Sequence, residues 1–388
     1  MDRLRNWWFS RQGLGGTVAD APGATTQGCG WLRSVGSANP YLAIHARSGA
    51  SRAEIERAVA DVELVELVAA RGCTYHVPRQ DAAVALRLAS VGNCQAEFKM
   101  AEKHLGVTDA EVSELADAIV RALENGPLDP RAISAGVKEV RHMGDEGKKR
   151  GMTTTLGLGL SRLQLQGRIR RLPQDGRLDT ERYRYALWEN GPQPSLLSDG
   201  EMAAQVTRLY IGWAGPATEK EFREFTGLSA KLAKVAMVGL APCPDDPTRF
   251  MLPDDLPAYE ATKGTEGRVV LLSSIDPWLH SRRNLPTLLD PAESERTVPY
   301  GAALAGANAL RDLDSHPIVQ DGVVVGMWEF DHERQEIVHW AWRPSREVEA
   351  AVRETGEWIA KELGDFRSFS LDSPKSRIPR VELLRSLS

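Results

Sequence analysis

The sequence predicts an α+β fold in which tandem winged-helix domains, each a helix-turn-helix followed by a β-wing, precede a C-terminal antiparallel β-barrel-like domain. Three observations predict it. Helix starts carry Ser or Thr followed three residues later by Glu, the pattern of a capping box. A pair of helices followed by a short hairpin recurs along the chain. After Gly267 the pattern changes to alternating strands.

Composition sets the class of protein. The chain has 388 residues, of which 42% are hydrophobic and 26% are charged. This length corresponds to two or three domains at roughly 150 residues each. No apolar stretch approaches the roughly 20 residues that span a bilayer, and the start has no apolar signal region. We therefore expect no membrane contact and a cytoplasmic location, nucleoid-associated if the source is bacterial.

The first predicted domain covers residues 1–128 and contains a helical region with the first winged helix. Ser51 and Thr108 each precede a Glu by three residues, so both are predicted to begin helices. Between these helices, an apolar run leads to a strand that ends near Val77. The segment 125–130, Asn-Gly-Pro-Leu-Asp-Pro, breaks the pattern and marks the first boundary.

The remaining boundaries follow turns and changes of pattern. Residues 129–196 form the second winged helix, whose wing is an alternating hairpin across Gln174-Asp175-Gly176. Residues 197–262 form the third, with a capping box at Thr218. Residues 263–388 form the β-domain with a terminal helix, and Asp321-Gly322 is a type I′ hairpin signal.

Charge is concentrated in the second winged helix. The chain carries a net charge of −5, so it is not a polybasic nucleic-acid binder as a whole. Residues 141–184 contain eleven Lys and Arg against five acids, which leaves this segment at +6 and the rest at −11. A basic helix and wing on an acidic body is the distribution expected of one phosphate-binding face. The alternative is a solvated charged surface.

Metal and cofactor chemistry has no support in the sequence. The four cysteines are scattered without a Cys-x-x-Cys pair, and the eight histidines form no His-Glu-x-x-His motif. We expect reduced thiols, no metal and no cofactor.

Several short segments carry recognisable motifs. The segment 70–78 is Ala-Arg-Gly-Cys-Thr-Tyr-His-Val-Pro, and the segment 271–279 is Leu-Leu-Ser-Ser-Ile-Asp-Pro-Trp-Leu. Together with 289–291 and 318–328, they resemble the winged-helix DNA glycosylases of the AlkZ/YcaQ type. The first segment is similar to the strand that follows the family's first winged helix, and the second to its Leu-Leu-Pro-x-Phe-Asp-Pro-Tyr segment. The resemblance implies a monomer without cofactor that binds double-stranded DNA. It would hydrolyse the N-glycosidic bond of N-alkylated or crosslinked purines.

The family's catalytic signature, Gln-apolar-Gln or Gln-apolar-Asp, is missing at the corresponding position. That stretch reads Ser-Val-Gly-Ser-Ala-Asn-Pro over 34–40, so Gly36 and Ala38 stand where the active side chains are expected. Neither can orient a water molecule or stabilise an oxocarbenium ion. Asn39 and His45 are the candidate replacements. The alternative for Asn39 is a helix N-cap with Pro40 at the first helical position.

Further candidates concern DNA contact and the lesion pocket. A second Gln-apolar-Gln, Gln164-Leu165-Gln166, lies on the predicted recognition helix, where its amides can touch bases or phosphates. Asp276 and Trp278 are candidates for a lesion pocket, against the alternative of an Asp-Pro turn with a packed Trp. Trp7-Trp8-Phe9 either stacks on an extruded base or anchors the first helix to the core. The predicted DNA-contacting residues are Lys148, Lys149, Arg150, Arg162, Gln164, Gln166, Arg168, Arg170, Arg171, Arg282 and Arg283.

Three functional hypotheses remain open at this point. The first is a DNA-repair glycosylase, the second a non-catalytic DNA- or lesion-binding relative, and the third a winged-helix transcription regulator. Regulators of this kind usually dimerise to read paired half-sites, and the sequence shows no heptad or dimerisation helix.

Overall fold

The structure is a computed structural model that describes residues 2–16, 21–35, 37–91, 94–364, 366–367 and 373–388. The helices are α1 (Asp2–Arg11), α2 (Pro22–Cys29), α3 (Asn39–Ser48), α4 (Arg52–Ala60), α5 (Ala82–Val91), α6 (Cys94–Leu105), α7 (Asp109–Leu123), α8 (Pro130–Gly136), α9 (Gly144–Lys149), α10 (Leu156–Leu165), α11 (Asp199–Ala214), α12 (Glu219–Thr226), α13 (Ala230–Ala236), α14 (Leu256–Glu260), α15 (Pro277–His280), α16 (Arg346–Trp358) and α17 (Pro374–Leu387). The strands are β1 (Leu32–Arg33), β2 (Leu64–Val68), β3 (Thr74–Pro78), β4 (Ile169–Pro173), β5 (Tyr183–Leu187), β6 (Ala241–Cys243), β7 (Asp246–Met251), β8 (Val269–Leu271), β9 (Thr297–Tyr300), β10 (Ala303–Gly306), β11 (His316–Gln320), β12 (Val323–Asp331) and β13 (Glu336–Ala341).

One order of elements occurs three times in the first two thirds of the chain. It is a helix, a short strand or bridge, two helices and an antiparallel hairpin. The first copy runs from α2 to β3 and forms a sheet in the order β1-β3-β2. The second runs from α7 to β5, where Leu128 bridges Tyr185, and it carries the short α9 as an extra helix between α8 and α10. The third runs from α11 to β7, where Ala217 bridges Phe250. The recurrence of helix pair and hairpin in the sequence therefore reflects a recurrent arrangement.

The C-terminal region is a curled antiparallel half-barrel sheet. Its four strands lie in the order β13-β12-β11-β8, and every neighbouring pair is antiparallel. Asp321 and Gly322 both have positive φ, 50° and 77°, between β11 and β12. This is the backbone of the predicted type I′ turn. Helices α16 and α17 pack against this sheet.

The apolar cores join distant parts of the chain and thereby position the first repeat. One core combines α3 and α4 with the C-terminal sheet through Ile44, Ile318 and Trp328. Another combines the first and third repeats through Trp31 and Trp213. The N-terminal end of α3 consequently lies between these regions, against the loops of the C-terminal sheet.

The N-terminal aromatic cluster belongs to the core. Trp7, Trp8 and Phe9 are 6%, 0% and 0% exposed. The indole N–H of Trp7 donates to the carbonyl of Gly215 at 2.9 Å, and that of Trp8 to Pro216 at 3.2 Å. This supports the anchoring alternative and leaves no aromatic face for an extruded base. Within the described ranges, no helix is long and apolar enough to cross a bilayer.

Candidate active site

A cavity of about 200 Å³ lies where α3 begins against the C-terminal region. Five segments form it: the residues around the start of α3, the loop after β8, the segment that leads into β11, Phe366 after α16, and the face of α17. Its lining residues are Ser37, Ala38, Asn39, Leu42, Ser273, Ser274, Ile275, Leu313, Asp314, His316, Phe366, Arg377 and Arg380. The volume is below the 300–1,000 Å³ range of sites for drug-sized ligands, and it suits a single small group.

Asn39 lines this cavity and does not cap the helix. Its side chain is 1% exposed, and its Nδ2 donates to the carbonyl oxygen of Arg33 at 2.7 Å. The residue before α3 is Ala38, which makes no side-chain cap. The interpretation of Asn39 as the N-cap is therefore wrong, because its amide bonds backwards to β1 rather than forwards to the helix N–H groups. Among the residues that the structure describes, Oδ1 has no hydrogen-bond partner.

Asp314 and His316 bring a carboxylate and an imidazole to the same cavity. Oδ2 of Asp314 accepts a hydrogen bond from the backbone N–H of Gly301 at 3.0 Å, which ties it to the turn between β9 and β10. Nδ1 of His316 accepts from the backbone N–H of Ser274 at 3.0 Å, so the neutral ring carries its proton on Nε2. Neither residue was predicted from the sequence, since no spacing relates them to Asn39.

The opposite wall of the cavity is aromatic and cationic. The guanidinium of Arg377 lies over the ring of Phe366, 5.1 Å from its centroid. Arg380 forms a buried ion pair with Glu329, with Nε to Oε1 at 2.6 Å, which offsets its charge. An aromatic ring beside polar groups is an arrangement that holds a planar heterocycle.

The other predicted catalytic positions are placed differently. Gly36 lies outside the described residues, and Ala38 lines the cavity with a methyl group. His45 lies outside the cavity, because its ring stacks on Trp358 with centroids 4.0 Å apart and its Nδ1 is 3.2 Å from the carbonyl oxygen of Ala50. Burial lowers the pKa of His45. The structure therefore brings Asn39 to the cavity and leaves His45 out.

Asp276 and Trp278 also lie outside this cavity. Both are 0% exposed. Asp276 pairs with Arg47 and accepts a hydrogen bond from the backbone N–H of Trp278 at 2.8 Å, as the cap of α15. The placement corrects the lesion-pocket prediction and fits the alternative of an Asp-Pro turn with a packed Trp, because a buried ion pair leaves no free carboxylate.

The predicted DNA-contacting residues divide into a surface group and a buried group. Arg282 is 0% exposed and donates to the carbonyls of Trp278 and Ala214, so it cannot reach a phosphate. Gln164 is 5% exposed and bonds back to Leu160 within α10, which removes it from base contact. Those predictions are wrong because both side chains face the core. Gln166, Lys148, Lys149, Arg150 and Arg168 are exposed.

Three of the predicted DNA-contacting residues, Arg162, Gln166 and Arg168, line a groove of about 1,420 Å³. Its other walls come from α5, α6 and the segment after β5, and they include Arg87, Lys99, Trp188 and Glu189. The groove is open, and the sequence did not predict the contribution of α5 and α6 because they lie about 70 residues before α10.

Seven of the eleven Lys and Arg in residues 141–184 are paired with acids. The pairs are Arg141–Glu111, Lys148–Asp145, Lys149–Glu146, Arg150–Glu146, Arg162–Asp109, Arg168–Asp117 and Arg177–Asp179. In the part of the chain that the structure describes, Arg170, Arg182 and Arg184 form no ion pair. Arg171 is half-buried, with its guanidinium 5.2 Å from the ring of Tyr183. The net charge of the segment thus overstates the charge available to a phosphate.

Comparison with solved structures shows where this fold occurs. The chain is similar to the DNA glycosylase AlkZ of Streptomyces sahachiroi, with a TM-score of 0.70 and 21% sequence identity. The similarity covers 95% of this chain and 98% of that one, so the two share a fold. No curated protein matches the sequence. The fold is the one found in that DNA glycosylase.

The family follows from the sequence match. A family model described as DNA glycosylase AlkZ-like matches residues 26–367, which is nearly the whole chain. The chain therefore belongs to the AlkZ-like DNA glycosylase family, as the resemblance of its segments predicted.

Proposed function

We propose that this protein binds double-stranded DNA, takes an N-alkylated or crosslinked purine into the 200 Å³ cavity and hydrolyses its N-glycosidic bond. The observation that carries the proposal is that the Asn39 amide and the Asp314 carboxylate line the same cavity. An amide and a carboxylate are the groups that the family's signature would supply. Here they come from two loops far apart in the sequence.

Hydrolysis of the N-glycosidic bond of an alkylated purine requires few protein groups besides Asn39 and Asp314. A purine alkylated at N3 or N7 is cationic, so it leaves with the electron pair of the C1′–N bond and becomes neutral. A water molecule forms the new C1′–O bond and passes its proton to the carboxylate, which later releases it to solvent. Asp314 stabilises the positive charge that develops at C1′, and Oδ1 of Asn39 orients the water. The products are the free alkylpurine and an abasic site.

DNA binding is assigned to the repeated helical units. We propose that the three repeats are winged helices within the segments 1–128, 129–196 and 197–262, followed by the β-domain at 263–388. In the second, α10 and the β4–β5 hairpin would meet the duplex. Gln166, Arg168 and Arg170 are then the base- or phosphate-contacting residues, with Lys148, Lys149 and Arg150 at the end of α9. Lys and Arg that already have acid partners contribute less.

The setting of this activity is also part of the proposal. We propose a monomeric protein that works without metal or cofactor in the cytoplasm, associated with the nucleoid if bacterial. A non-catalytic lesion-binding relative is the second candidate, and the methyl group of Ala38 in the cavity favours it. A size-exclusion mass separates both from a dimeric regulator, because a stable dimer would favour the regulator.

A base-release assay tests the catalytic step. Duplexes carrying N7-methylguanine, 3-methyladenine or a bulky N7 adduct are incubated with the protein, and abasic sites are read by alkaline cleavage. Asp314→Asn and Asn39→Ala should each lower release by about 10²–10³-fold, the range for loss of one transition-state contact. Asp254→Asn, an exposed carboxylate outside the cavity, is the matched control.

Two outcomes decide between the candidates. Release that collapses in the cavity variants but persists in Asp254→Asn supports the glycosylase. No release by the wild type on any of the three lesions, with DNA binding intact, rejects the hydrolysis and favours the lesion-binding relative.

A further inference from the structure

Three arginines and a histidine meet between the first repeat and the loop after α15. Arg33 ends β1, and Arg71 lies in the turn between β2 and β3. His280 ends α15, and Arg283 lies in the loop after it. Nη2 of Arg71 donates to Nε2 of His280 at 2.9 Å. We call these four residues the arginine cluster. All of them are half-buried, so an anion bound there would be partly desolvated.

Opposite charge in this cluster is scarce. Arg283 pairs with Asp312, with Nη2 to Oδ2 at 2.5 Å. Arg33 faces the phenol of Tyr75 and the thiol of Cys73, and no carboxylate of the described residues pairs with it. Burial, followed by the charges of Arg71, Arg33 and Arg283, lowers the pKa of His280 to about 3. The imidazole is therefore neutral, and the field around it is positive.

The backbone at these residues is unusual. Arg71 and Arg283 have φ of 58° and 50°, and Val35, two residues after Arg33, has φ of 45°. Side chains other than glycine rarely adopt this region, and a β-branched residue does so least. Such conformations persist where the surrounding structure imposes them, and they concentrate at functional sites.

The cluster adjoins the candidate active site. The carbonyl oxygen of Arg33 accepts the hydrogen bond of the Asn39 amide at 2.7 Å. Asp312, the partner of Arg283, stands two residues before Asp314, which lines the cavity. A nucleotide whose base occupies the cavity would therefore bring its own backbone close to these guanidinium groups.

We propose that the arginine cluster binds one phosphodiester of the DNA backbone beside the nucleotide held in the cavity. Guanidinium forks match the geometry of phosphate oxygens, and they bind more strongly where the site is partly desolvated. The identification of the anion as DNA rests on the proposed function. The existence of an anion site is inferred from the positions and charges of the arginine cluster alone.

Single-phosphate neutralisation tests this proposal. Binding is measured by fluorescence anisotropy on a duplex with a tetrahydrofuran abasic analogue, in which one phosphate at a time is replaced by uncharged methylphosphonate. For the wild type, we expect one or two positions flanking the analogue to weaken binding by about tenfold, as for loss of a charged hydrogen bond. Arg33→Gln should bind the unmodified duplex about tenfold more weakly and show no further loss at those positions.

Controls separate this effect from misfolding. Arg353→Gln, an exposed arginine on α16, should retain the full methylphosphonate effect. Arg33→Lys keeps the charge without the fork and should bind between wild type and Arg33→Gln. Matching circular dichroism and unfolding midpoints for all variants will show that the fold is intact.

Several results would overturn the proposal. One is that Arg33→Gln binds the unmodified duplex as tightly as the wild type does. Another is that Arg33→Gln binds more weakly but still loses as much affinity as the wild type at each methylphosphonate. A third is calorimetric binding of free inorganic phosphate that depends on Arg33 while no methylphosphonate matters, since the site would then serve a free anion. Base release plays no part in these measurements. If the binding measurements give the expected results but no base is released, the phosphate site is supported and the proposed hydrolysis is rejected.

Discussion

Arg47 and Asp276 form a buried, bidentate ion pair that fastens α3 to the segment before α15. Nη2 of Arg47 lies 2.7 Å from Oδ1 of Asp276, and Nη1 lies 2.9 Å from Oδ2. Their side chains are 1% and 0% exposed. Because Asn39 begins α3 and Ser273–Ile275 precede Asp276, this pair holds two walls of the candidate active site together.

Breaking that pair should destabilise the protein. Asp276→Ala leaves Arg47 charged and buried, and we expect a loss of about 3–5 kcal/mol in the free energy of unfolding. The double variant Arg47→Met, Asp276→Leu should lose much less, since it buries no charge and forfeits mainly the cap of α15, about 1 kcal/mol. Urea denaturation measures both. A double variant as unstable as the single one would contradict this explanation.

Replacing His45 should leave catalysis nearly unchanged. His45 stacks on Trp358, and burial lowers the pKa of its ring, so it presents no charge to the cavity at neutral pH. We expect His45→Gln to keep base release within about twofold and to lose about 1 kcal/mol of stability from the stacked contact. Single-turnover base release alongside thermal unfolding will measure the two effects. A hundredfold fall in release would place His45 in the chemistry.

The surface and buried arginines should respond differently to neutralisation. Arg168→Gln with Arg170→Gln should weaken DNA binding about equally for all sequences, and it should flatten the plot of log affinity against log salt by up to about 0.9 per lost phosphate contact. Arg282→Gln should lower stability, because Arg282 is enclosed and packs over Trp8 at 4.4 Å. Its salt slope should match the wild type. Anisotropy titrations across salt concentrations distinguish these results.

His280 should make the protein less stable in mild acid. Its folded pKa is about 3, lowered first by burial and then by the neighbouring arginines, against 6.5 in the unfolded chain. Between these values the unfolded chain binds one more proton. The free energy of unfolding should therefore be highest above pH 6.5 and fall by about 1.4 kcal/mol for each unit below it.

His280→Gln removes that proton from the balance. Its unfolding free energy should fall less steeply between pH 7 and pH 5 than that of the wild type. The difference in slope should approach about 1.4 kcal/mol per pH unit, which corresponds to one bound proton. Burial also lowers the pKa of His76, and this contribution is common to both proteins. Urea denaturation at intervals of half a pH unit gives the two slopes. Equal slopes would show that His280 does not titrate as its surroundings imply.

Local features of the fold were predictable because they depend on neighbouring residues. The capping boxes at Ser51 and Thr218 form with both hydrogen bonds. At Thr108 the hydroxyl still caps the helix, but Glu111 pairs with Arg141 at 2.6 Å, since a tertiary partner replaces the local one. The predicted terminal helix corresponds to α16, whereas the β9–β10 hairpin and α17 were not predicted. The hairpin has no Asn-Gly or Asp-Gly turn, but α17 does carry a start signal, because Ser373 caps it with Pro374 at its first position.

The candidate site was predictable only in part. Asn39 was identified from its place in a short loop, and the structure puts it in the cavity. Asp314, His316 and Phe366 come from segments about 275–330 residues further along, and no periodicity relates them to α3. The burial of Arg282 and Gln164 also escaped prediction, because a charged or amide side chain is normally assigned to the surface.

The sequence by itself determined the helix starts, the hairpin turns, the recurrent helix pairs and the family, because each of these depends on residues that are close together in the chain. The tertiary structure alone decided which polar groups meet. It brought Asn39 to Asp314, and Arg33 to Arg71 and Arg283. The physical reason is that apolar cores shared by the first repeat, the third repeat and the C-terminal sheet fix these loops against one another. Packing of that kind depends on the whole chain.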